Sequence, residues 1–360
     1  MRVLQVMAGA ECGGAETMYA DGVLALAGAG TDQLLLTRPS RLRDSLWVRH
    51  GLAVRHASFP RPWMGRSTRK AIRQAIADFK PDLCHYWMAR AASYAAADSG
   101  IPNIGWFGAP SPLDYYRHCQ FFIGLTQELV RHIVAGGARP EAAVCIHPFA
   151  DLPAGPPADR AALDTPAGVP VLLSLSRLHW HKAIDVLLRA MPQLPEAYLW
   201  IAGEGPAQKS LQALAASLGI EARVRWLGWR TDRGALLAAS TLCVFPSRVE
   251  PFGNVMVEAW AAGVPLIAAA AQGPKAYCRH EFNGLLVEPD DVPGLAAAIR
   301  RCLAEPDLCR RLTENGRRCY ETSFTKDVFV RDMTAFYRMV REAGGPGCAS
   351  AGRSRACPGK

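Results

Sequence analysis

The sequence predicts an α/β protein made of two Rossmann-like domains, each with a parallel sheet covered by helices on both faces. Its 360 residues exceed what one hydrophobic core of ordinary size accommodates, and they suit two domains. Strand-like and helix-like segments alternate along the chain, which favours parallel sheets. A proline-rich stretch near the middle interrupts this alternation, which then restarts as if from a new first strand.

The first series of elements forms an N-terminal domain, which we assign to residues 1–150. Its predicted strands are residues 3–7, 34–36 and 83–86, and its predicted helices are residues 15–26 and 68–79. Gly9, Gly13 and Gly14 lie between the first strand and the first helix. The domain therefore begins as strand, glycine loop and helix.

The second series follows a stretch rich in proline, alanine and glycine, residues 151–168, which we interpret as a linker. In the second domain, residues 169–325, the predicted strands are 171–175, 198–202, 224–227 and 242–245, and the predicted helices are 183–191, 206–217 and 232–239. An amphipathic pattern predicts a C-terminal helix over residues 326–343. Residues 344–360 are small, polar and basic, so we expect a disordered tail.

Composition excludes several classes of protein. Half of the residues are hydrophobic and a fifth are charged, which is typical of a globular protein rather than a disordered or fibrous one. The longest nearly uncharged stretch, residues 259–274, is interrupted by Gly263 and Pro265 and is too short for a transmembrane helix. The N-terminus lacks the apolar core of a signal peptide, and we expect a cytoplasmic protein.

Cysteines and histidines give no evidence for a metal site. The 11 cysteines are scattered without a Cys-x-x-Cys pair, which argues against both a disulfide framework and a zinc site. His179 and His181 flank Trp180, but two imidazoles without a third ligand are weak evidence for a metal. We predict no metal ligands.

Positive charge is concentrated in the N-terminal half of a chain whose net charge is +9. Between Arg38 and Arg73 there are ten arginines and lysines and one acidic residue, Asp44. This stretch could be an ordinary solvated surface, or it could dock peripherally on an anionic lipid surface or a phosphorylated lipid-linked acceptor. We weigh these interpretations equally and expect no nucleic acid as a partner.

The strongest functional signal follows the predicted strand 242–245. Glu250 and Glu258 frame a Pro-Phe-Gly-Asn turn and an apolar helix, in which Asn254 is the predicted N-cap and Gly263 the stop. A helix start presents free N–H groups and a partial positive charge, and it can therefore seat a diphosphate. The two carboxylates can accept hydrogen bonds from sugar and ribose hydroxyls.

Two cations that suit a diphosphate occur in the loop after the predicted strand 171–175. Arg177 offers a planar fork of donors, and Lys182 offers a point charge. With Glu-x7-Glu at Glu250 and Glu258, this Arg-plus-Lys loop resembles that of the retaining glycosyltransferases of family 4, which have the GT-B fold. The Gly13–Gly14–Ala15–Glu16 run is also similar to the glycine loop of that family.

The resemblance implies a role for each of these residues in binding a UDP- or GDP-linked sugar across a cleft between two domains. Glu250 would contact the sugar, Glu258 the ribose, and Arg177 and Lys182 the diphosphate. Gly13, Gly14, Phe252, Gly253, Asn254 and Val255 would contribute to the donor site, and Arg230 would lie in the base-binding loop. The resemblance also implies that the C-terminal helix packs back toward the N-terminal domain.

The implied reaction is transfer of a hexose-type sugar, with retention, to a cell-surface glycan such as a lipopolysaccharide core or to a lipid-linked acceptor. Fixed cations and a helix start could stabilise the leaving diphosphate, and no Asp-x-Asp triplet occurs, so we expect no metal or other cofactor. Two features depart from the family: residues 104–108 contain no histidine, and the usual Lys-Gly pair reads Lys182–Ala183.

Two alternatives stay open at this point. A nucleotide-sugar epimerase on the same fold would consume the donor without an acceptor. A nucleic-acid-binding protein would use the basic N-terminal patch, and its binding would be salt-sensitive.

Overall fold

The structure is a computed structural model, and it describes residues 1–9, 13–153 and 155–343, apart from the side chains of Leu42 and Trp63. The chain folds into two compact units, of which Met1–Pro148 and the segment from Asp327 onward form the first and Phe149–Lys326 forms the second. The tail predicted to be disordered, residues 344–360, lies outside the described residues.

The first unit is a sheet of seven strands with helices between them. Its strands are β1 (Arg2–Met7), β2 (Asp32–Thr37), β3 (Ala53–His56), β4 (Leu83–Trp87), β5 (Asn103–Phe107), β6 (Phe121–Gly124) and β7 (Ala143–Cys145). Its helices are α1 (Gly14–Gly28), α2 (Arg41–Arg49), α3 (Arg66–Phe79), α4 (Met88–Ala92), α5 (Gln127–Ala135) and the C-terminal α13 (Lys326–Ala343).

All neighbouring strands of this sheet are parallel, in the order β3-β2-β1-β4-β5-β6-β7. The order of strands across the sheet reverses at β1, so the loops after β1 and β4 border a topological switch point. Every residue of β4 and β5 is buried, which agrees with a sheet covered on both faces. The predicted parallel Rossmann-like architecture is therefore confirmed for this unit.

The C-terminal helix α13 packs on the sheet of the first unit, as predicted. Its Tyr337 hydroxyl lies 2.6 Å from Nδ1 of His85 on β4 and accepts a hydrogen bond of 3.3 Å from Nε2 of Gln5 on β1. Trp87 in turn donates a bond of 2.8 Å to the side-chain oxygen of Gln5. Because these groups are buried and joined, they fix the helix in one position on the sheet.

The second unit has six strands: β8 (Val171–Leu175), β9 (Tyr198–Ala202), β10 (Val224–Gly228), β11 (Leu242–Phe245), β12 (Leu266–Ala269) and β13 (Leu285–Val287). Its helices are α6 (Ile184–Ala190), α7 (Gln208–Ser217), α8 (Arg233–Ala239), α9 (Asn254–Ala262), α10 (Gln272–Tyr277), α11 (Val292–Ala304) and α12 (Pro306–Ser323). The bounds of β8, β9 and β11 coincide with the prediction. Among the described residues, no helix or strand lies between β7 and β8.

The second sheet is also parallel throughout, in the order β10-β9-β8-β11-β12-β13. Its strand order reverses at β8, which lies between β9 and β11. The loops after β8 and β11 therefore meet at the carboxyl edge of the sheet, the place where open α/β sheets bind ligands. In the part of the chain that the structure describes, no helix is both long and apolar enough to span a membrane.

Candidate active site

The loop after β8 and the loop after β11 are joined through their backbones. The carbonyl of His181 accepts hydrogen bonds from the N–H groups of Arg248, at 2.8 Å, and Val249, at 3.3 Å. These bonds hold the segment that contains Lys182 beside the segment that contains Glu250. The two loops therefore form one platform at the switch point of the second sheet.

Two glycines in the loop after β9 allow that loop to lie close to the loop after β8. A Cβ on Gly203 would be 1.8 Å from the carbonyl oxygen of Ser176, and one on Gly205 would be 2.3 Å from that of Leu178. Only glycine permits so close a backbone approach. The N–H of Leu178 then donates to the carbonyl of Glu204 at 2.8 Å, which secures the start of the loop.

Lys182 and Glu250 form the central charge pair of the platform. The Nζ of Lys182 donates a hydrogen bond to Oε2 of Glu250 and lies 5.7 Å from the ring centroid of Phe245. Their side chains are 20% and 13% exposed, so the pair is largely shielded from water. A cation and a carboxylate in a shielded site can bind anionic and hydroxyl groups of a ligand through strong, charge-assisted hydrogen bonds.

Arg248 connects the platform by hydrogen bonds to α6 and to the segment before α11. Its guanidinium donates two bonds to the carboxylate of Asp185, at 2.7 and 2.8 Å, and one of 2.6 Å to Asp290. It also donates to the carbonyl of Trp180 at 2.9 Å. Burial alone would raise the pKa of Asp185, but the bonds from Arg248 lower it, and the carboxylate stays charged. Arg248 is not among the predicted site residues.

The helix α9 begins one residue earlier than predicted. Gly253, and not Asn254, occupies the N-cap position, with φ 104° and ψ 63°. The reason is steric, because a side chain is strained at this φ and a Cβ would lie 3.1 Å from the ring of Phe245. Asn254 and Val255, both half-buried, form the first turn of the helix.

The ring of Phe252 belongs to the hydrophobic interior. It is 4% exposed and packs against Tyr277 and Phe324, with centroid distances of 5.6 and 6.0 Å. A Cβ on Gly273 would lie 2.1 Å from the carbonyl oxygen of Phe252, and the N–H of Gly273 donates to the carbonyl of Glu250 at 2.7 Å. Phe252 therefore holds the turn in place, and its backbone is the part near the platform.

Glu258 lies in the middle of α9 and pairs with a cation that sequence reasoning missed. Its carboxylate accepts a hydrogen bond from Nη1 of Arg233, the first residue of α8. The Glu258 side chain is 6% exposed, whereas that of Arg233 is 35% exposed. The partly exposed Arg233 therefore neutralises a buried carboxylate, which would be costly to bury without a partner. No spacing rule links the two positions, since they lie 25 residues apart.

The two arginines among the remaining predicted site residues are more exposed than Lys182. Arg177 follows β8 and is exposed, and among the described residues its side chain has no ion pair or hydrogen bond. Arg230 forms a two-bond pair with Asp232, at 2.5 and 2.8 Å, and follows Trp229, which is 50% exposed. Gly13 and Gly14 lie in the first unit, at the N-cap and first residue of α1.

The described residues contain no group of three or more His, Cys, Asp and Glu side chains placed to hold a metal ion. His179 and His181 stack with their ring centroids 4.7 Å apart.

The sequence pattern of the family described as "Glycosyl transferases group 1" matches residues 157–319, which include the whole platform. The lipopolysaccharide core biosynthesis glycosyltransferase LpsD of Rhizobium meliloti is 34% identical over 329 residues, which cover 91% of this chain and 95% of LpsD. LpsE of the same organism is 33% identical over 322 residues, covering 88% and 94% of the two chains.

Solved structures share the fold at lower sequence identity. The Anabaena protein Alr3699/HepE in complex with UDP-glucose superimposes with a TM-score of 0.83 at 23% identity, covering 94% of this chain and all of that one. The lipopolysaccharide outer core galactosyltransferase WaaB gives a TM-score of 0.74 at 17% identity, with coverages of 94% and 99%. These likenesses identify the two-domain architecture as GT-B.

Proposed function

The chain belongs to the group 1 glycosyltransferases of GT-B fold, and we propose that it transfers a hexose-type sugar, with retention and without a metal, from a UDP- or GDP-linked donor. The Lys182–Glu250 pair on the joined loops is the observation that carries this proposal. One partner is suited to a phosphate and the other to a hydroxyl, and both lie at the switch point of a parallel sheet.

The charges of the platform fit the demands of the reaction. Cleavage of the bond between the anomeric carbon and the diphosphate increases negative charge on the leaving group. Lys182 and Arg177, together with N–H groups at the start of α9, would stabilise that charge. Glu250 would then hold sugar hydroxyls, and Glu258 the ribose.

The acceptor in this proposal is a cell-surface glycan or a lipid-linked glycan. LpsD and LpsE, which match nearly the whole chain, are named for lipopolysaccharide core biosynthesis. Transfer to such an acceptor would distinguish this protein from a nucleotide-sugar epimerase. Both relatives are named as glycosyltransferases, and no contact among the described residues favours the epimerase or a nucleic-acid-binding role.

Peripheral docking on an anionic membrane is a further part of the proposal. Arg41 and Arg49 on α2 are exposed, as is the apolar Val48 at 75%. Arg38, another basic residue of the stretch between Arg38 and Arg73, is hydrogen-bonded within the protein, because it donates to the carbonyls of Ser58 and Phe59. Flotation with anionic vesicles should recover the protein, and equal recovery with neutral vesicles would refute electrostatic docking.

Donor binding is tested by a thermal-shift screen against UDP- and GDP-sugars. A donor that binds only the folded chain raises the melting temperature, and the shift should be lost in Lys182→Ala. Lys209→Ala is the matched control, because Lys209 is an exposed lysine on α7. A shift that is equal in both variants would contradict the proposed site.

The stereochemistry and the metal independence need a separate assay. With an isolated glycan acceptor, proton NMR of the new linkage should give the same anomeric configuration as the donor sugar. The rate should be unchanged by EDTA. An inverted product, or loss of transfer on chelation that Mg²⁺ or Mn²⁺ restores, would contradict the proposed mechanism.

A further inference from the structure

A cluster of basic residues surrounds a cavity of about 120 Å³ in the first unit, and two of them, Arg69 and Arg73, belong to the basic stretch between Arg38 and Arg73. Three segments form it: α3, the chain that follows α4, and the turn before β6. The side chains that define its character are Arg69, Arg73, Tyr94, Asp98, Arg117 and His118. The cavity thus brings three guanidinium groups together against one carboxylate.

The one carboxylate neutralises little of this charge. Asp98 lies 3.5 Å from Nη2 of Arg73, and the two side chains are 69% and 62% exposed. An ion pair so exposed contributes little and exchanges readily with another anion. Arg117 forms no ion pair among the described residues, and its Nε donates to Nε2 of His118 at 3.2 Å. The cavity therefore has a net positive charge of about two.

His118 stays neutral in these surroundings. Burial lowers its pKa, and the positive charges of Arg117 and Arg69 lower it further, against a smaller opposite effect of Asp98. Since Nε2 accepts a hydrogen bond from Arg117, the neutral ring carries its proton on Nδ1. His118 can thus donate a hydrogen bond without adding a charge.

The walls of the cavity are held in place before any ligand binds. Arg69 donates from Nη1 to the carbonyl of Pro62 at 2.7 Å, and its guanidinium lies 5.2 Å from the ring centroid of Tyr94. The buried Asn103 donates from Nδ2 to the carbonyls of Ala96, at 2.8 Å, and His118, at 2.9 Å. Asn103 therefore joins two of the walls, and the donors are preorganised.

We infer that this cavity is an anion site of the first unit and that it binds the phosphoryl group of a phosphorylated sugar. The cluster of planar donors suits phosphate oxygens, and the small volume admits a phosphoryl group while its sugar stays outside. The identification of the sugar rests on the proposed function, because the ligand would be part of a glycan acceptor. The anion site itself depends only on the cavity and its charges.

The experiment measures binding of glucose 6-phosphate to the full chain by calorimetry in a phosphate-free buffer. The double variant Arg73→Gln/Arg117→Gln should weaken binding by about tenfold or more, since two charged donors are lost. The control Arg66→Gln/Lys70→Gln removes the same charge from exposed positions of α3 that do not line the cavity, and it should bind as the unaltered chain does. Equal binding by both double variants, or no binding by the unaltered chain, would overturn the inference.

Measurements on two further variants distinguish binding in this cavity from binding elsewhere on the chain. Asp98→Asn removes the competing carboxylate and should tighten binding by roughly threefold, a gain that misfolding cannot produce. Lys182→Ala alters the proposed donor site and should leave this binding unchanged, so the two proposals can fail independently. If inorganic phosphate binds and glucose 6-phosphate does not, the cavity cannot admit a phosphoryl group that carries a sugar, and a free-phosphate site replaces the assignment.

Discussion

Lys182 donates a hydrogen bond from its Nζ to Oε2 of Glu250, although the two residues are 68 positions apart in the sequence. The pair bridges the loops after the two strands that flank the switch point of the second sheet. Each charge satisfies the other within the pair. In the proposed function each also takes a partner on the donor, a phosphate oxygen for Lys182 and a sugar hydroxyl for Glu250.

Neutralising either member of this pair should abolish most of the transfer activity. We expect Lys182→Ala to lower kcat/KM by about 100-fold or more, the usual effect of removing one donor that stabilises transition-state charge. Glu250→Gln should also lower kcat/KM severely, because the sugar hydroxyls lose a charged acceptor. A steady-state assay with radiolabelled donor measures this loss. Lys209→Ala, which removes a lysine from an exposed position on α7, should retain the activity of the unaltered chain. Normal rates in both site variants would exclude the assigned roles.

The Arg233–Glu258 pair should contribute to stability in a way that a double-mutant cycle can isolate. Arg233→Met removes the hydrogen-bonded cation from a carboxylate whose side chain is only 6% exposed, and we expect a loss of about 1–3 kcal/mol. Adding Glu258→Gln should recover part of that loss, because the neutral amide needs no cation. Urea unfolding of the two single variants and the double variant measures the coupling. Strict additivity would mean that the two side chains do not stabilise each other.

How much of the site the sequence predicts depends on what brings its residues together. Lys182 and Glu250 could be placed near each other because each follows a buried strand of a parallel sheet, and carboxyl ends of such strands share one edge. Arg233 could not be found this way, since its pairing with Glu258 depends on how α8 and α9 pack. No periodicity along the chain encodes that packing.

The first residue of α9 could not be predicted from local sequence preferences alone. Asparagine is a favoured N-cap, and on this preference alone Asn254 was the expected cap. The backbone at Gly253 instead takes a left-handed φ of 104° beside the ring of Phe245. That geometry depends on a tertiary contact, and it overrides the local preference. Gly263 stops the helix as predicted, because its left-handed φ of 68° is a local C-terminal signal.

Gly253→Ala should therefore be more costly than the same change at an unobstructed glycine. The new Cβ would be strained at φ 104° and would press on the Phe245 ring at 3.1 Å, and we expect a loss of about 2 kcal/mol or more. Gly219→Ala is the matched control, because its φ is 65° and no atom lies within 4 Å of the new Cβ. Its cost should be about 1 kcal/mol. Equal melting temperatures for the two variants would show that the contact with Phe245 has no effect.

His85 should make the stability of the first unit depend on pH. Burial lowers the pKa of this histidine to about 3, whereas its ordinary value is 6.5. Between these two values the unfolded chain binds a proton that the folded chain does not, so the free energy of unfolding falls as pH decreases below about 6.5. The slope from this group is about 1.4 kcal/mol per pH unit, and it ends near the folded pKa.

The hydrogen bonds around His85 agree with the neutral form, which burial favours in the folded chain. Gln5 donates to the Tyr337 hydroxyl, which can then donate its own proton to Nδ1 of His85 at 2.6 Å. Nδ1 is thus an acceptor, and a second ring proton would remove that role. Urea unfolding at pH 7.0, 6.0 and 5.0 should show that the free energy of unfolding falls less steeply with decreasing pH in His85→Gln than in the unaltered chain. The difference in slope should correspond to about one bound proton. His50→Gln is the matched control, since the His50 side chain is exposed, and parallel declines for all three chains would contradict the assignment to His85.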